Sequence, residues 1–146
     1  MHLREATAED VAAIVALLAD DVLGARREAP GDPAYDAAFA AMARQGANVI
    51  LLAEEDGRLL GCLQLTIIHG LSRRGMARAQ IEGVRVAAEG RGQGIGRHLV
   101  EEAIHRARAA GCGLVQLTTD KSRTDAHRFY ADLGFTASHL GMKLML

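Results

Sequence analysis

The chain has 146 residues, room for one core, and its 49% hydrophobic and 24% charged content is that of a folded domain, which excludes a disordered chain. Seventeen basic and eighteen acidic residues leave a formal charge of −1, and with no Trp, two Tyr and three Phe there is little to neutralise phosphates or stack bases, so nucleic acid is a disfavoured partner. No apolar run approaches the roughly 20 residues of a membrane-spanning helix and no basic-then-apolar leader opens the chain, so no membrane partner and a cytoplasmic location are expected.

Taken in order, residues 2–6 suit a short strand. Thr7 followed three residues later by Asp10 resembles a capping box, and Val11, Ile14, Val15, Leu17, Leu18 and Val22 supply an apolar helical face behind it. Gly24, Pro30 and Gly31 mark 24–31 as an irregular loop. Asp32-Pro33 then opens an Ala-rich helix ending near Gly46. Strands over 48–53 and 59–68 follow, joined by Glu55-Asp56-Gly57-Arg58, a hairpin signal. A loop at 69–76 leads to a strand over 78–86. Cys62 and Cys112 are isolated, with no CxxC spacing, and read as reduced core thiols.

The strand over 78–86 changes parity. Polar Gln80 and Glu82 alternate with apolar Ala79 and Ile81, but beyond Gly83 the apolar positions are Val84 and Val86. A strand of strict period two cannot do this, so a bulge is expected close to Gly83. Next, Glu89-Gly90-Arg91-Gly92-Gln93-Gly94-Ile95-Gly96 runs into a helix to about residue 110, with Ile95, Leu99, Ala103, Ile104 and Ala107 on one face and Gly111 as its stop. A strand over 114–118 follows. A helix opened by Thr124 or Asp125 carries Ala126, Phe129, Tyr130 and Leu133, with Phe129 expected to face the core. A final strand pair is expected between 135 and 146. The whole reads as one α/β domain over 1–146.

Closely spaced glycines between a strand and a helix N-terminus suit a phosphate, because backbone N–H groups converge there beside the positive end of the helix dipole. GxGxxG fails, since position 97 is Arg, and no Gly-Lys-Ser/Thr occurs. Arg91-Gly92-Gln93-Gly94-Ile95-Gly96 fits Arg/Gln-x-x-Gly-x-Gly/Ala instead. That turn, the bulged strand Ile81-Glu82-Gly83-Val84-Arg85-Val86, the following amphipathic helix, and Ala126-His127-Arg128-Phe129-Tyr130-Ala131-Asp132-Leu133-Gly134-Phe135 stand in one order. In these four features residues 48–146 resemble the GCN5-related N-acetyltransferases (GNAT family), whereas 1–47 match in layout alone.

The resemblance implies a mixed, mostly antiparallel sheet with a bulged, splayed strand and helices on both faces. It implies acetyl-CoA as co-substrate and no metal. The pyrophosphate would lie on backbone N–H groups of Arg91, Gly92, Gln93, Gly94, Ile95, Gly96 and Arg97, and the pantetheine arm along Val84, Arg85 and Val86. The Val84 N–H would face the thioester carbonyl. Arg123 stands where many relatives carry a cofactor-holding Asn, and that role is not transferred to it. Glu82 matches the position of a general base in some relatives, with a solvated strand residue, an ion-pair partner or an acceptor-binding carboxylate as the other readings. Tyr130 matches the tyrosine that protonates the leaving thiolate.

The expected activity is direct acetyl transfer, within a ternary complex, to a primary amine of a small molecule, peptide or protein. Alternatives are a non-catalytic acyl-CoA-binding sensor and a toxin-type enzyme acetylating aminoacyl-tRNA. Family members often dimerise, which leaves a homodimer open. Acceptor-lining candidates lie at 22–35 and in His69 to Met76, where Arg73 and Arg74 suit an anionic acceptor, while Glu28, Asp32 and Asp36 suit a polycation. His98 and His105 read as a solvated helix face.

Overall fold

The computed structural model describes residues 1–146. In chain order they form β1 (His2–Glu5), a 3-10 turn (Ala8–Asp10), α1 (Val11–Ala19), α2 (Gly24–Arg27), α3 (Ala34–Gln45), β2 (Asn48–Glu55), β3 (Arg58–Ile68), α4 (Ser72–Gly75), β4 (Arg78–Val86), a second 3-10 turn (Ala88–Gly90), α5 (Ile95–Ala109), β5 (Leu114–Leu117) and α6 (Thr124–Asp132). The five strands make one mixed sheet in the order β1-β2-β3-β4-β5. The first three pairings are antiparallel, and the 15-residue α5 is the crossover linking neighbouring strands β4 and β5. The chain divides into two compact units, Met1–Gln116 and Leu117–Leu146.

In the first unit, the tight connections follow from the sequence. Asp56 and Gly57 take φ values of 50° and 75°. This is the left-handed pair of a two-residue hairpin turn, whose twist matches the flanking strands. The side chain of Asp32 accepts the Ala34 N–H at 2.8 Å at the start of α3, and Gly46 at φ 72° ends that helix.

Strand parity divides the packing between the two sheet faces. Gly61, Leu63, Leu65, Ala79 and Ile81 turn toward α5, whose Ile95, Leu99, Val100, Ala103 and Ala107 are buried. Val100 is buried where Ile104 was expected; the latter is half-buried. On the opposite face Cys62 and Leu52 pack with Ile14 and Leu17 of α1 and with Ala87. Val22 is 76% exposed, because α1 ends at Ala19 before the helical face reaches it. The loops expected at 24–31 and 69–76 each contain one helical turn, α2 and α4.

The second unit departs further from expectation. No strand forms between 135 and 146. A strand exists only through hydrogen bonds to another segment, and this tail makes no such ladder. Phe129 is half-buried and α6 has no buried residue. Phe129, Tyr130 and Phe135 instead contact one another edge to face, with Tyr130 centroids 5.0 and 5.7 Å from its two neighbours. Gly134, at φ 94°, turns the chain after α6.

The Thr7–Asp10 signal is realised with an addition. Thr7 N–H donates to Asp10 Oδ2 at 2.7 Å, and Arg4 grips both carboxylate oxygens at 2.8 and 2.9 Å. Arg4 also reaches Glu54 at 2.9 Å, tying β1 to β2 and to the start of α1. The Arg4 guanidinium holds the Asp10 carboxyl well below the ordinary carboxylate range. A depressed carboxyl pKa stabilises the fold above the unfolded value of about 3.9 and is lost as pH falls below it. Asp10→Asn should therefore lower stability by about 1 kcal/mol at pH 7. In urea melts taken across pH, the gap to the unsubstituted chain should close below about pH 4.

Candidate functional site

The site begins with one extra residue. On β3, Cys62 and Gln64 are two positions apart; their partners on β4, Arg85 and Glu82, are three apart. The insertion sits at Gly83, whose φ is 59°, a left-handed conformation that a Cβ would strain. Gly83 and Val84 thus have no register partner on β3. The parity reversal read in the sequence is this bulge. Its consequence is that Glu82 and Arg85, three residues apart, lie on one face, the face that also carries α1. Leu18 of α1 borders Gly83, 3.6 Å from where a Cβ would stand.

Glu82 is exposed on that face, opposite Gln64. Around it runs a polar row that the sequence reading did not identify. Gln64 and Thr66 both donate to Asn48 Oδ1, at 2.9 and 3.2 Å. Gln116 of β5 donates to Gln80 Oε1 at 2.7 Å. The signal was present as polar residues at alternate positions in consecutive strands, but only the register aligns them. The arrangement leaves a carboxylate on an open polar floor beside an interrupted ladder.

Arg85 was singled out for its backbone; its side chain has a separate task. Its guanidinium donates to the Val84 carbonyl at 2.8 Å, and Nε lies 3.1 Å from Asp21 Oδ2. Both side chains are largely buried, 15% and 19% exposed. The Nε–H is not aimed at that oxygen, so charge attraction and not a directed hydrogen bond holds this contact. The other Asp21 oxygen accepts the Gly24 N–H at the start of α2. Asp21 therefore fastens the α1–α2 connection to the bulge. Sequence reasoning missed it because its partner lies far away along the chain.

From β4 the chain enters the glycine-rich turn directly. Gly92 and Gly94 take φ 76° and 77°, and Gly94 precedes the first turn of α5. Alternating left-handed residues turn successive N–H groups toward one side, and first-turn N–H groups of a helix have no partner within it. Arg91, Gly92, Gln93 and Gly94 are exposed, while Ile95 is buried as the anchor. Two further glycines set the height of this turn. A Cβ on Gly61 would stand 2.9 Å from the Arg85 carbonyl oxygen and 3.0 Å from Leu99, and one on Gly90 would stand 2.7 Å from Ile95. The close approach of α5 to β3 depends on both. Within the turn the Arg91 and Gln93 N–H groups donate to the Ala88 and Gly90 carbonyls at 3.3 and 3.4 Å, so an anion would draw on the remaining donors, those of the first turn of α5 among them.

The first unit thus brings together Glu82, Val84, Arg85, Val86 and the 91–97 turn. Tyr130 belongs to the second unit, on α6, half-buried between two Phe rings. Arg123 precedes α6, and its N–H donates to the Asp120 carbonyl at 3.0 Å. His127 Nε2 is 3.1 Å from that same carbonyl oxygen. Burial pushes the Cys62 thiol up to about 12 and raises Cys112 as well, so neither is a ready thiolate. His98 and His105 are exposed. Two shallow hollows follow the β2–β3 hairpin, the second touching Glu89 and Gln93. Neither is lined by Glu82 or Val84, so the candidate site is the open bulge.

Two substitutions probe this geometry. Gly61→Ala should cost about 1–3 kcal/mol by overpacking, and should shift the amide resonances of 94–97 as α5 is pushed outward. Asp21→Ala leaves the Arg85 charge without its carboxylate and should cost about 2 kcal/mol in thermal melts.

Comparison with known proteins meets this geometry from outside. Residues 12–135 match the family described as Acetyltransferase (GNAT) family. The aminoalkylphosphonate N-acetyltransferase of Salmonella typhimurium is 32% identical over 138 residues, covering 94% of this chain and 86% of that one. The glucosamine 6-phosphate N-acetyltransferase of Trypanosoma brucei brucei is 31% identical over 129 residues, 86% of each chain. Among solved structures, one described as a transcriptional regulator from Bacillus halodurans C-125 superposes with a TM-score of 0.95 at 47% identity, covering 99% of both chains. With a matched segment spanning the bulge, the glycine-rich turn and α6, this chain belongs to the GNAT family of N-acetyltransferases.

Proposed function

We propose that the chain transfers an acetyl group directly from acetyl-CoA to the primary amine of a small molecule bearing a phosphonate or phosphate, and that residues 1–146 act as one domain in the cytoplasm. Enzymes of this family use acetyl-CoA as co-substrate. The observation that carries the reading is continuity: the backbone at Gly83 and Val84, which has no register partner on β3, runs within a few residues into the left-handed pair Gly92 and Gly94 at the N-terminus of α5. A thioester carbonyl at the first and a pyrophosphate at the second are the two ends of one extended co-substrate. Backbone N–H groups of 91–97 would hold the diphosphate, and strand-like pairing with Val84, Arg85 and Val86 would hold the arm between.

In this reading Glu82 accepts the proton of the attacking amine, directly or through water, as nitrogen bonds to the thioester carbon. The Val84 N–H holds the carbonyl oxygen as negative charge builds on it. Arg85 fixes the Val84 carbonyl, and so the peptide plane beside that donor, which is a positioning role. As the carbon–sulfur bond breaks, Tyr130 gives its phenolic proton to the departing thiolate. The raised thiols of Cys62, which is buried, and of Cys112, which is only half-buried and not the core thiol expected, support transfer without an acyl-enzyme.

The acceptor class rests on two observations. Two relatives are named for amines carrying a phosphonate or a phosphate, and Arg73 and Arg74 are exposed in α4 with left-handed φ of 54° and 61°. They offer two cations on a fixed turn. The name of the Bacillus halodurans protein favours a second reading, an acyl-CoA-responsive regulator without turnover.

Thiol release from acetyl-CoA, measured over aminoalkylphosphonates, glucosamine 6-phosphate, polyamines and peptides, separates the readings. Turnover is expected with the phosphonate or phosphate amines. Acetyl-CoA binding with no turnover on any amine would favour the regulator. Glu82→Gln should lower kcat/KM by about 10²–10⁴, and Tyr130→Phe should lower kcat. The Glu82→Gln deficit should shrink as pH rises toward the acceptor amine's own pKa, since a free base then needs no acceptor for its proton. A deficit that is constant with pH would instead assign Glu82 to binding the acceptor cation.

A further inference from the structure

The polar floor beside the bulge can be followed donor by donor. Asn48 Nδ2 donates to Gln45 Oε1 at 2.8 Å, which leaves its carbonyl oxygen for β3. That oxygen accepts from Gln64 Nε2 at 2.9 Å and from the Thr66 hydroxyl at 3.2 Å. Thr66 is buried, so little water competes for its hydroxyl. Gln80 Oε1 is engaged in turn by Gln116 Nε2 at 2.7 Å.

Two acceptors of the row stay open. Gln64 directs its nitrogen to Asn48, on the β2 side. Its oxygen, on the other arm of the same carbon, is turned away from β2 and accepts nothing from the chain. Glu82 stands directly opposite Gln64 in the β3–β4 register, where side chains on one face start about 4.5–5.5 Å apart. Its exposed carboxylate has no hydrogen-bond or ion-pair partner in the chain. A carboxamide oxygen and a carboxylate thus stand side by side, both able only to accept.

An attacking amine matches that pair only in its primary form. Its nitrogen holds the substrate carbon in one direction and aims its lone pair at the thioester carbon in another. A primary amine then has two N–H bonds left, and the floor has two open acceptors. We propose that Gln64 is a specificity-determining residue: its Oε1 accepts one N–H of the attacking amine while Glu82 receives the proton of the other, so the site selects primary over secondary amines. The inference rests on the acetyl-transfer reading above, with Glu82 as proton acceptor. As the nitrogen–carbon bond forms and the carbon–sulfur bond breaks, the proton facing Glu82 departs, directly or through water. The proton facing Gln64 stays on nitrogen and becomes the N–H of the amide product. With a secondary amine, Gln64 Oε1 meets an alkyl group and is left desolvated and unpaired. Asn48 is a positioning residue, since without its oxygen the Gln64 carboxamide is free to present its nitrogen, a donor, to the amine.

Thiol release from acetyl-CoA, measured with an aminoalkylphosphonate and with its N-methyl derivative, tests this on the full chain. The readout is the ratio of the two kcat/KM values. Differences in basicity and bulk between the two amines are the same for every variant and drop out of the comparison. The unsubstituted chain should prefer the primary amine, and Gln64→Leu, close in size, should lower that preference by about tenfold, the loss falling on the primary amine. Asn48→Ala should lower it in the same direction, whereas Asn48→Asp, which keeps an oxygen for Gln64 and Thr66, should retain it. Acetyl-CoA should still bind each variant. Equal use of the two amines by the unsubstituted chain would overturn the proposal, as would a Gln64→Leu variant that turns over with an unchanged ratio. A ratio lowered as much by Asn48→Asp as by Asn48→Ala would overturn the part given to Asn48. No thiol release with either amine would instead overturn the acceptor reading on which the inference rests, and the inference with it.

Discussion

The site depends on a single inserted residue in β4. Without it, Glu82 and Arg85 would point to opposite faces, because side chains alternate along a regular strand. With it, both lie on the α1 face and the ladder to β3 is interrupted between them. The insertion is possible because Gly83 tolerates φ of 59°; a side chain there would cost about 1–2 kcal/mol in backbone strain. One glycine thus sets the carboxylate's direction, frees the Val84 backbone, and lets the Arg85 guanidinium fold back onto the Val84 carbonyl at 2.8 Å.

The two faces of the sheet then divide the work. The face beneath α5 is apolar and tightly packed, and absent side chains at Gly61 and Gly90 let the helix settle close enough to place its first turn beyond β4. The other face is apolar where α1 covers it, around Cys62 and Leu52, and polar where it opens, around Asn48, Gln64 and Glu82. In the proposed reading, rigidity on one side would position the donors for an extended co-substrate, and the open polar floor on the other would leave room for an acceptor. The Asp21–Arg85 pair links these regions, since it joins the α1–α2 connection to the bulge.

How much of this was legible depended on the range of the interaction involved. The bulge was readable because parity reversal within nine residues is a local pattern, and the hairpin because Asp56-Gly57 encodes its own turn. Gly92 and Gly94 were readable for the same reason. Asp21 was not, since nothing in its neighbourhood announces a cation brought from β4. Gly61 reads in sequence as an ordinary strand residue, and only the packed helix shows why it must be small. The polar row needed the alignment of four strands at once. Val22 and Phe129 failed differently: helical periodicity predicted a face, but α1 stopped at Ala19 and no residue of α6 is buried.

The strand pair expected at 135–146 is the most instructive departure. Alternation of Leu140, Met142, Leu144 and Leu146 measures whether a segment could serve as a strand, since it describes one apolar face. It carries no information on which edge receives that face, because the hydrogen bonds of a strand all go to another segment. A helix satisfies most of its own backbone, so its periodicity predicts it in an isolated chain. A strand's periodicity predicts only a demand for a partner. In this chain the demand is legible at 140–146, yet residues 135–146 form no strand.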